Sequence, residues 1–561
     1  MTDAMPIPPG LILVLAGLLV AITRGRGRSA ILLVAPILTL LSVWQIPDGI
    51  VLSGQFMGYE LVPLEGNALS RLFATIFAIM AFGGGLFALK QENHAELAAA
   101  FVYGGSAIGV AFAGDLITVF IFWEMMAIGS TVVVWCGQDD ARRAGMRYAI
   151  IHLLGGVILM VGVAGEISAT GSTAFHAMQP DSMARWFILA GFLINAGAPP
   201  LAAWLPDAYP EASWSGMVFL SAFTTKTAVY VLLRGFPGAE VLIFIGLFMV
   251  FYGIIYAILE NDMRRILAYS IINQVGFMVT GIGIGTTMAL NGAAAHAFTH
   301  IIYKALLLMS AGSVLYMTGK RKCTDLGGLF RTMPLTCICG IIGALAISSF
   351  PLTSGFISKS MISQSAADEH MMIVWMLLAA ASAGVFLHAG IKFPWFVFFQ
   401  KDSGLRPDEP PWNMKAAMVL FSIFCIWLGV FPEQLYAILP AAVDYVPYTG
   451  AHVVFQLQLL LFSGLAFFLL LGWLKRTLTI TLDFDWLYRG LGKALDRAVQ
   501  YRTNKAWGAA VERTYKGMVR FVETLYRHHG PQGILARTWP TGSMAFWTTL
   551  LLGAYLVLYY L

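Results

Sequence analysis

HAFTHIIYKALLLMSAGSVLYM, residues 296–317, sets His296, His300 and Lys304 four residues apart at the head of a long apolar run. On a helix, steps of four advance the azimuth by about 40°, so the three lie on one narrow stripe. Roughly 20 apolar residues cross a bilayer, so the run reads as a membrane span. Ionisable groups inside a span are costly and usually mark an ion path. A lone buried histidine is more often a satisfied core residue. Three titratable groups on one stripe point instead to a proton relay, since histidine exchanges protons near neutral pH.

The whole chain follows this pattern. Of its 561 residues, 58% are hydrophobic and 12% are charged, whereas a soluble domain is nearer a quarter charged. The fold class is therefore an all-α polytopic membrane protein. The net charge of +5 does not point to nucleic acid in such a chain; the placement of the charge matters more than its size. Cys136, Cys323, Cys337, Cys339 and Cys425 are scattered, without the spacing of a zinc, iron–sulfur or haem site. There is no phosphate-binding loop or dinucleotide fingerprint. No cofactor, metal site or catalysis of its own is expected.

About sixteen spans are expected, near 6–22, 30–46, 68–90, 97–114, 115–136, 145–169, 184–204, 216–234, 238–259, 265–285, 289–317, 334–361, 371–398, 413–437, 453–475 and 544–561. With the N-terminus outside, the inner loops carry Arg24, Arg26, Arg28, Arg142, Arg143, Arg147, Arg264, Arg265, Lys320, Arg321, Lys322, Lys475 and Arg476. Acids such as Glu60, Glu65, Asp368 and Glu369 then fall outside, with Arg185 and Arg234. This asymmetry obeys the positive-inside rule. Residues 483–530 read differently. Leu487, Leu491, Leu495 and Val499 form one apolar stripe, and Trp507, Val511, Tyr515, Met518, Val522 and Leu525 a second. One or two amphipathic helices on the inner surface or along a partner are expected, pinned by a final span; the alternative is a small soluble tail.

Further ionisable groups lie inside the spans. Glu124 sits in ITVFIFWEMMAIGS and needs a partner, whether for ion conduction or for structure. In INAGAPPLAAW, which opens with Ile194 and Asn195, Pro199 and Pro200 remove backbone donors in mid-span, so this helix should break. Lys226 follows in a long apolar span, suited to proton transfer or to a structural ion pair. Pro351 and Gly355 interrupt another span before Lys359. Lys392 stands among apolar residues before a proline and is a further candidate for the proton path; near an interface, it could instead simply snorkel.

A weak internal symmetry accompanies these residues. Spans four to eight contain APPLAAW and then Lys226; spans nine to thirteen contain FPLTSGF and then Lys392. Two five-span units would insert with inverted topology, as in many transporters. The expected divisions are 1–96, a first repeat at 97–234, a second at 238–398, two spans at 413–475, the amphipathic segment at 483–530 and an anchor at 544–561.

The motifs FWE, PLAAWLPDAYPEA, TKTAVYVLLRGF, RRILAYSIINQVGFM, HAFTHIIYKALLLMSAGSV and FPLTSGFISKS, across about residues 65–440, resemble a known family. It comprises the antiporter-like membrane subunits shared by respiratory complex I, membrane-bound hydrogenases and Mrp-type cation/proton antiporters, with the Mrp D-type subunit the nearest pattern. The resemblance implies about fourteen core helices, two inverted five-helix repeats and broken helices seven and twelve. It implies proton-path roles for Glu124, Lys226, His296, His300, Lys304 and Lys359. The family's lysine on broken helix seven is replaced here by Asn195, which cannot carry charge; Glu124 would then pair with Lys226.

The function expected is proton translocation, with sodium or potassium as a possible counter-ion, within a multisubunit Mrp-type complex. Its partners would be other membrane subunits, and its location a bacterial inner membrane. A proton-pumping subunit of a complex I-like or hydrogenase complex is the alternative. A stand-alone solute transporter and a scaffold with frozen ion pairs are rivals of another class.

Overall fold

The structure, a computed structural model, describes residues 7–138, 140–472, 483–530, 533 and 540–560. Among them, thirteen helices are long and apolar enough to cross a membrane, and three shorter apolar helices join them. Together they account for every span expected from the sequence. The residues expected at the extreme ends of three spans (6, 473–475 and 561), with Lys475 and Arg476, lie outside the described residues.

The chain begins with α1 (Pro9–Ile22), α2 (Gly25–Val43), a hairpin of β1 (Gly49–Phe56) and β2 (Tyr59–Gly66), and α3 (Ala68–Phe87). Then come α4 (His94–Phe112), α5 (Leu116–Trp135), α6 (Ala141–Thr170), α7 (Met183–Ala196), α8 (Trp204–Ala208), α9 (Gly216–Leu220) and α10 (Thr224–Gly235). The second stretch holds α11 (Val241–Leu259), α12 (Met263–Ile284), α13 (Thr287–Thr318), α14 (Pro334–Ile347), α15 (Ser354–Asp368) and α16 (Met372–Val385). It continues through π-helical turns at Phe386–Lys392 and Trp395–Phe399. The chain then runs through α17 (Trp412–Val430), α18 (Glu433–Tyr436), α19 (Gly450–Leu469), α20 (Asp485–His529) and α21 (Thr541–Tyr560).

Helix ends leave backbone donors and acceptors unpaired, and lipid offers no replacement. The sequence supplies caps instead. Asn67 and Ser70 form a capping box on α3, and the side chains of Asp115, Ser182, Asp262 and Thr286 accept amide bonds at the starts of α5, α7, α12 and α13. Between helices, small residues let backbones touch. A Cβ added at Gly246 of α11 would lie 2.5 Å from the Thr280 amide of α12, and one at Gly253 would lie 2.6 Å from the Tyr269 carbonyl.

Three features depart from the expected course. Residues 49–66 form an antiparallel hairpin rather than a plain loop, turned at Met57 and Gly58, both with positive φ. Its Glu65 pairs with Arg234 at 2.7 Å. The span expected at 216–234 is broken between Leu220 and Thr224, although no proline stands there. The span expected at 371–398 ends in two π-helical turns on either side of Pro394, which lacks an amide to donate.

The breaks expected at prolines are present. Helix α7 stops at Ala196, with Gly197 left-handed, before Pro199 and Pro200. Helix α14 stops at Ile347 and α15 resumes at Ser354, around Pro351. The segment after the first break is clamped by basic side chains. Arg147 grips Asp207 with two bonds of 2.6 and 2.9 Å, and Arg264 donates to the carbonyls of Pro210, Ala212 and Ser213. Arg321 pairs with Glu211 and Asp262, both at 2.9 Å. The arginines that suggested an inner face in the sequence therefore also hold an irregular segment in shape.

The chain divides into two compact units, Met1–Asp485 and Trp486–Leu561. In the first, Asp483 accepts hydrogen bonds from Tyr252 and Tyr269, and Phe484 packs on Phe248 and Tyr252. The second unit is α20 and α21. The amphipathic region is one 45-residue helix, and its apolar residues Trp507, Val511, Tyr515, Met518, Val522 and Leu525 are all exposed.

Candidate functional site

The stripe on α13 is fully buried: His296, His300 and Lys304 each have 0% exposure. His296 Nε2 lies 3.1 Å from Gln274 Oε1, an oxygen that can only accept, so Nε2 carries a hydrogen; Nδ1 lies 2.9 Å from Ser358 Oγ, a hydroxyl that can serve either protonation state of the ring. Neither ring nitrogen of His300 has a partner among the described residues, and its ring lies 6.2 Å from that of His296 and 5.2 Å from that of Tyr303. Lys304 donates to Ser270 Oγ at 2.8 Å and to the Leu267 carbonyl at 3.3 Å.

The flanking lysines use helix breaks. Lys226, in the first turn of α10, donates to the Ser221 carbonyl at 2.6 Å and to Thr225 Oγ1 at 3.0 Å. Lys359, in α15, donates to the Ile347 carbonyl at 2.9 Å and lies 4.8 Å from the centre of the Phe277 ring. Ser221 and Ile347 stand where helices stop, so their carbonyls are the orphaned negative ends of the backbone. Each break thus serves as the counter-charge of a buried lysine. His300 lies within electrostatic range of Lys226, Lys304, His296 and Lys359, and Lys304 within range of Lys226 and Lys359. These five groups, all in the sequence expectation, come together.

Lys392 is placed differently. Its exposure is 2%, so it does not snorkel to an interface. Its ammonium donates to the carbonyls of Ala257, Ile258 and Glu260, closing the C-terminal end of α11.

Glu124 stands apart from Lys226. Neither forms an ion pair among the described residues, so the pairing expected from Asn195 is absent. Glu124 instead lies against α6, where a Cβ on Gly156 would come 2.0 Å from its Oε1. One turn earlier on α6 is His152, 1% exposed, and beside it Asn195, also 1% exposed. Glu124 Oε1, Asn195 Oδ1 and both ring nitrogens of His152 are buried without a well-aligned hydrogen bond among the described residues.

A polar cavity of about 270 Å³ reaches Lys359, lined by Ser360, Gln364, Thr449, His452 and Gln456 among others. It runs along α15 towards the end that carries the exposed Asp368 and Glu369, and it has room for several waters.

A family model described as NADH:quinone oxidoreductase/Mrp antiporter, TM, matches residues 113–386. The D-type subunit of the Na(+)/H(+) antiporter of Alkalihalophilus pseudofirmus is 30% identical over 431 residues, covering 70% of this chain and 83% of that protein. The chain belongs to this antiporter-like membrane-subunit family. The A/B-type subunit of a probable K(+)/H(+) antiporter of Rhizobium meliloti is 29% identical over 65% of this chain, but the match spans only 39% of that longer relative. Hydrogenase-4 component B of Escherichia coli is 25% identical over 70% of this chain and 66% of its own length.

Solved structures show the same fold in antiporter-like subunits. A chain of the Mrp complex from Dietzia sp. has a TM-score of 0.68 at 20% identity, covering 81% of this chain and all of that one. A chain of the membrane-bound sulfane sulfur reductase, an archaeal respiratory complex, has 0.71 at 22% identity, covering 98% and 99%. The protein is thus a multi-pass antiporter-like subunit of the Mrp, complex I or hydrogenase type.

Sequence reasoning missed several buried polar residues, His152, His388 and Glu96 among them. His152 and His388 are single histidines in apolar runs, with no periodic partner to mark them. Glu96 is fully buried and takes hydrogen bonds from Ser213 at 2.7 Å and Ser215 at 2.5 Å, contacts that only the clamped segment after α8 creates. The one available signal was the charge of Glu96 near the start of a span.

Proposed function

We propose that this chain is the proton-translocating subunit of a multisubunit Mrp-type cation/proton antiporter, set in a bacterial inner membrane with its N-terminus outside. The observation that carries this reading is the buried row Lys226, His300, His296, Lys304 and Lys359, in which each lysine is held by carbonyl or hydroxyl oxygens. A buried ion pair would fix the proton, because its loss would strand a buried carboxylate. A lysine held by helix-end carbonyls leaves no such stranded charge when it deprotonates. The groups are close enough for their titrations to be coupled, so protonating one lowers the proton affinity of the next. The cavity beside Lys359 provides water access from the acidic face.

The two proline-broken helices, each associated with a lysine-bearing helix, support reading α4–α10 and the stretch from α11 to residue 398 as inverted repeats. Lys392 closes a helix end and acts there as a structural cation. Glu124 sets the charge at the far end of the row.

A redox-driven proton pump is the second reading. It is favoured by the likeness to the sulfane sulfur reductase chain, which extends over 98% of this chain against 81% for the Mrp chain. Proton flux into proteoliposomes holding the purified complex separates the two, driven by a sodium or potassium gradient or by electron transfer. Antiport driven by a cation gradient, abolished in Lys226→Ala and in Lys304→Ala, is the expected result. Normal exchange by both variants would sink the proton-path reading.

A further inference from the structure

We propose that His152 is a proton-carrying residue, and that Tyr148, Tyr209, Tyr103, Thr224 and Thr225 form a hydroxyl relay joining it to Lys226, so that protons pass between Glu124 and the lysine row through α6. This inference rests on the proton-translocating reading above. Glu124 and Lys226 have no direct contact, yet between them lies a run of buried polar atoms. Glu124 is seated by Gly156, and His152 lies four residues back on the same face of α6, about 6 Å along the axis. The His152 ring stands beside the Asn195 side chain without a well-aligned hydrogen bond from either ring nitrogen, and Glu124 Oε1 has no partner among the described residues; buried polar atoms so placed bind water.

Beyond His152 the path is aromatic and hydroxylic. The His152 ring packs on the Tyr148 ring at 4.0 Å and on Trp204 at 4.7 Å. Trp204 is fixed by donating to the Ile194 carbonyl at 3.0 Å, on the last turn of α7. Tyr148 donates to Ser130 Oγ at 2.9 Å, and its ring is 6.4 Å from that of Tyr209. The Tyr209 hydroxyl is buried and makes no well-aligned hydrogen bond among the described residues. It faces Tyr103 and Thr224. Tyr103 Oη lies 2.6 Å from Thr224 Oγ1 and accepts the Thr224 amide at 2.8 Å. Thr224 opens α10, and Thr225 Oγ1 accepts from Lys226. All three tyrosines and Lys226 are fully buried.

The step balances without a co-reactant. A proton leaves the carboxylic acid of Glu124, through water, for a ring nitrogen of His152, giving carboxylate and imidazolium. Each hydroxyl then accepts a proton on oxygen as it releases its own, and the free amine of Lys226 becomes ammonium. The reverse sequence returns it.

The test is proton flux by the intact complex in proteoliposomes, with His152→Gln, Tyr148→Phe and Tyr209→Phe compared with Lys304→Ala. His152→Gln should lower flux by roughly 100-fold or more, the scale of losing one positioned proton-transfer group. Tyr209→Phe should slow it several-fold and raise the solvent deuterium isotope effect, with assembly and melting temperature unchanged. Each phenylalanine removes one oxygen only, so if His152→Gln fails to assemble, Tyr209→Phe decides. Full flux and an unchanged isotope effect in the tyrosine variants, with Lys304→Ala inactive, would overturn the relay alone. Full flux in Lys304→Ala as well would overturn the proton-translocating reading beneath it.

Discussion

At the scale of single residues, two glycines separate function from stability. A methyl at Gly156 would meet the Glu124 carboxylate oxygen at 2.0 Å. That oxygen ends a flexible side chain, so it can swing away at small cost. Gly156→Ala should therefore displace Glu124 and depress proton flux, while the melting temperature of the complex stays nearly constant. A methyl at Gly253 would meet the Tyr269 carbonyl at 2.6 Å and the Asn273 amide at 2.7 Å. Backbone atoms of a packed helix cannot move aside, so overpacking should cost about 1–3 kcal/mol. Gly253→Ala should lower the melting temperature, with flux falling only in step with the folded fraction. The reverse pattern would show that Glu124 has no functional seat on α6. The α13 stripe was legible in the sequence because its spacing is helical. His152 was not, because, apart from Tyr148 of its own helix, the groups around it are Trp204 of α8 and Asn195 of α7, which reach it only through the clamped break.

At the scale of elements, the buried lysines follow the interruptions of helices. Proline made two of these interruptions readable: α7 ends before Pro199 and Pro200, and α14 ends before Pro351. The third, between Leu220 and Thr224, has no proline or glycine. Ser221, Thr224 and Thr225 offer the backbone local hydroxyl partners, and Lys226 draws off the Ser221 carbonyl. The hairpin at 49–66 had a signal, a two-residue turn at Met57–Gly58 between β-prone runs, but an apolar-span count passes over it. Lys392 makes the element-scale prediction. Its ammonium satisfies carbonyls at the end of α11, and unsatisfied buried acceptors cost about 1–3 kcal/mol. Lys392→Met should lower thermal stability on that scale, and Lys392→Arg should recover most of it. Loss of flux with unaltered stability in Lys392→Met would instead make Lys392 a proton carrier.

At the scale of the whole molecule, the division at Asp485 places all of the buried ionisable row in the first unit. Asp483 and Phe484 tie the end of that unit to α11 and α12 through Tyr252 and Tyr269. Among the described residues the second unit shows no core of its own: α21 has no buried residue, and Leu495, Val499 and the second apolar stripe of α20, from Trp507 to Leu525, are exposed. An exposed apolar face of this extent calls for a membrane surface or another protein. The basic residues on the other faces of α20 fit an anionic membrane surface or an acidic flank of a neighbouring protein. Ending the chain after Asp485 keeps the Asp483 anchor and removes only this stripe and the terminal span. The shortened chain should insert and melt as the full one does, while a neighbouring subunit no longer co-purifies with it. Blue native electrophoresis and thermal unfolding of the two forms give both readouts. A complete complex formed by the shortened chain would show that α20 does not hold a neighbouring subunit, and a core that no longer inserts would show that the second unit is needed for folding rather than for assembly.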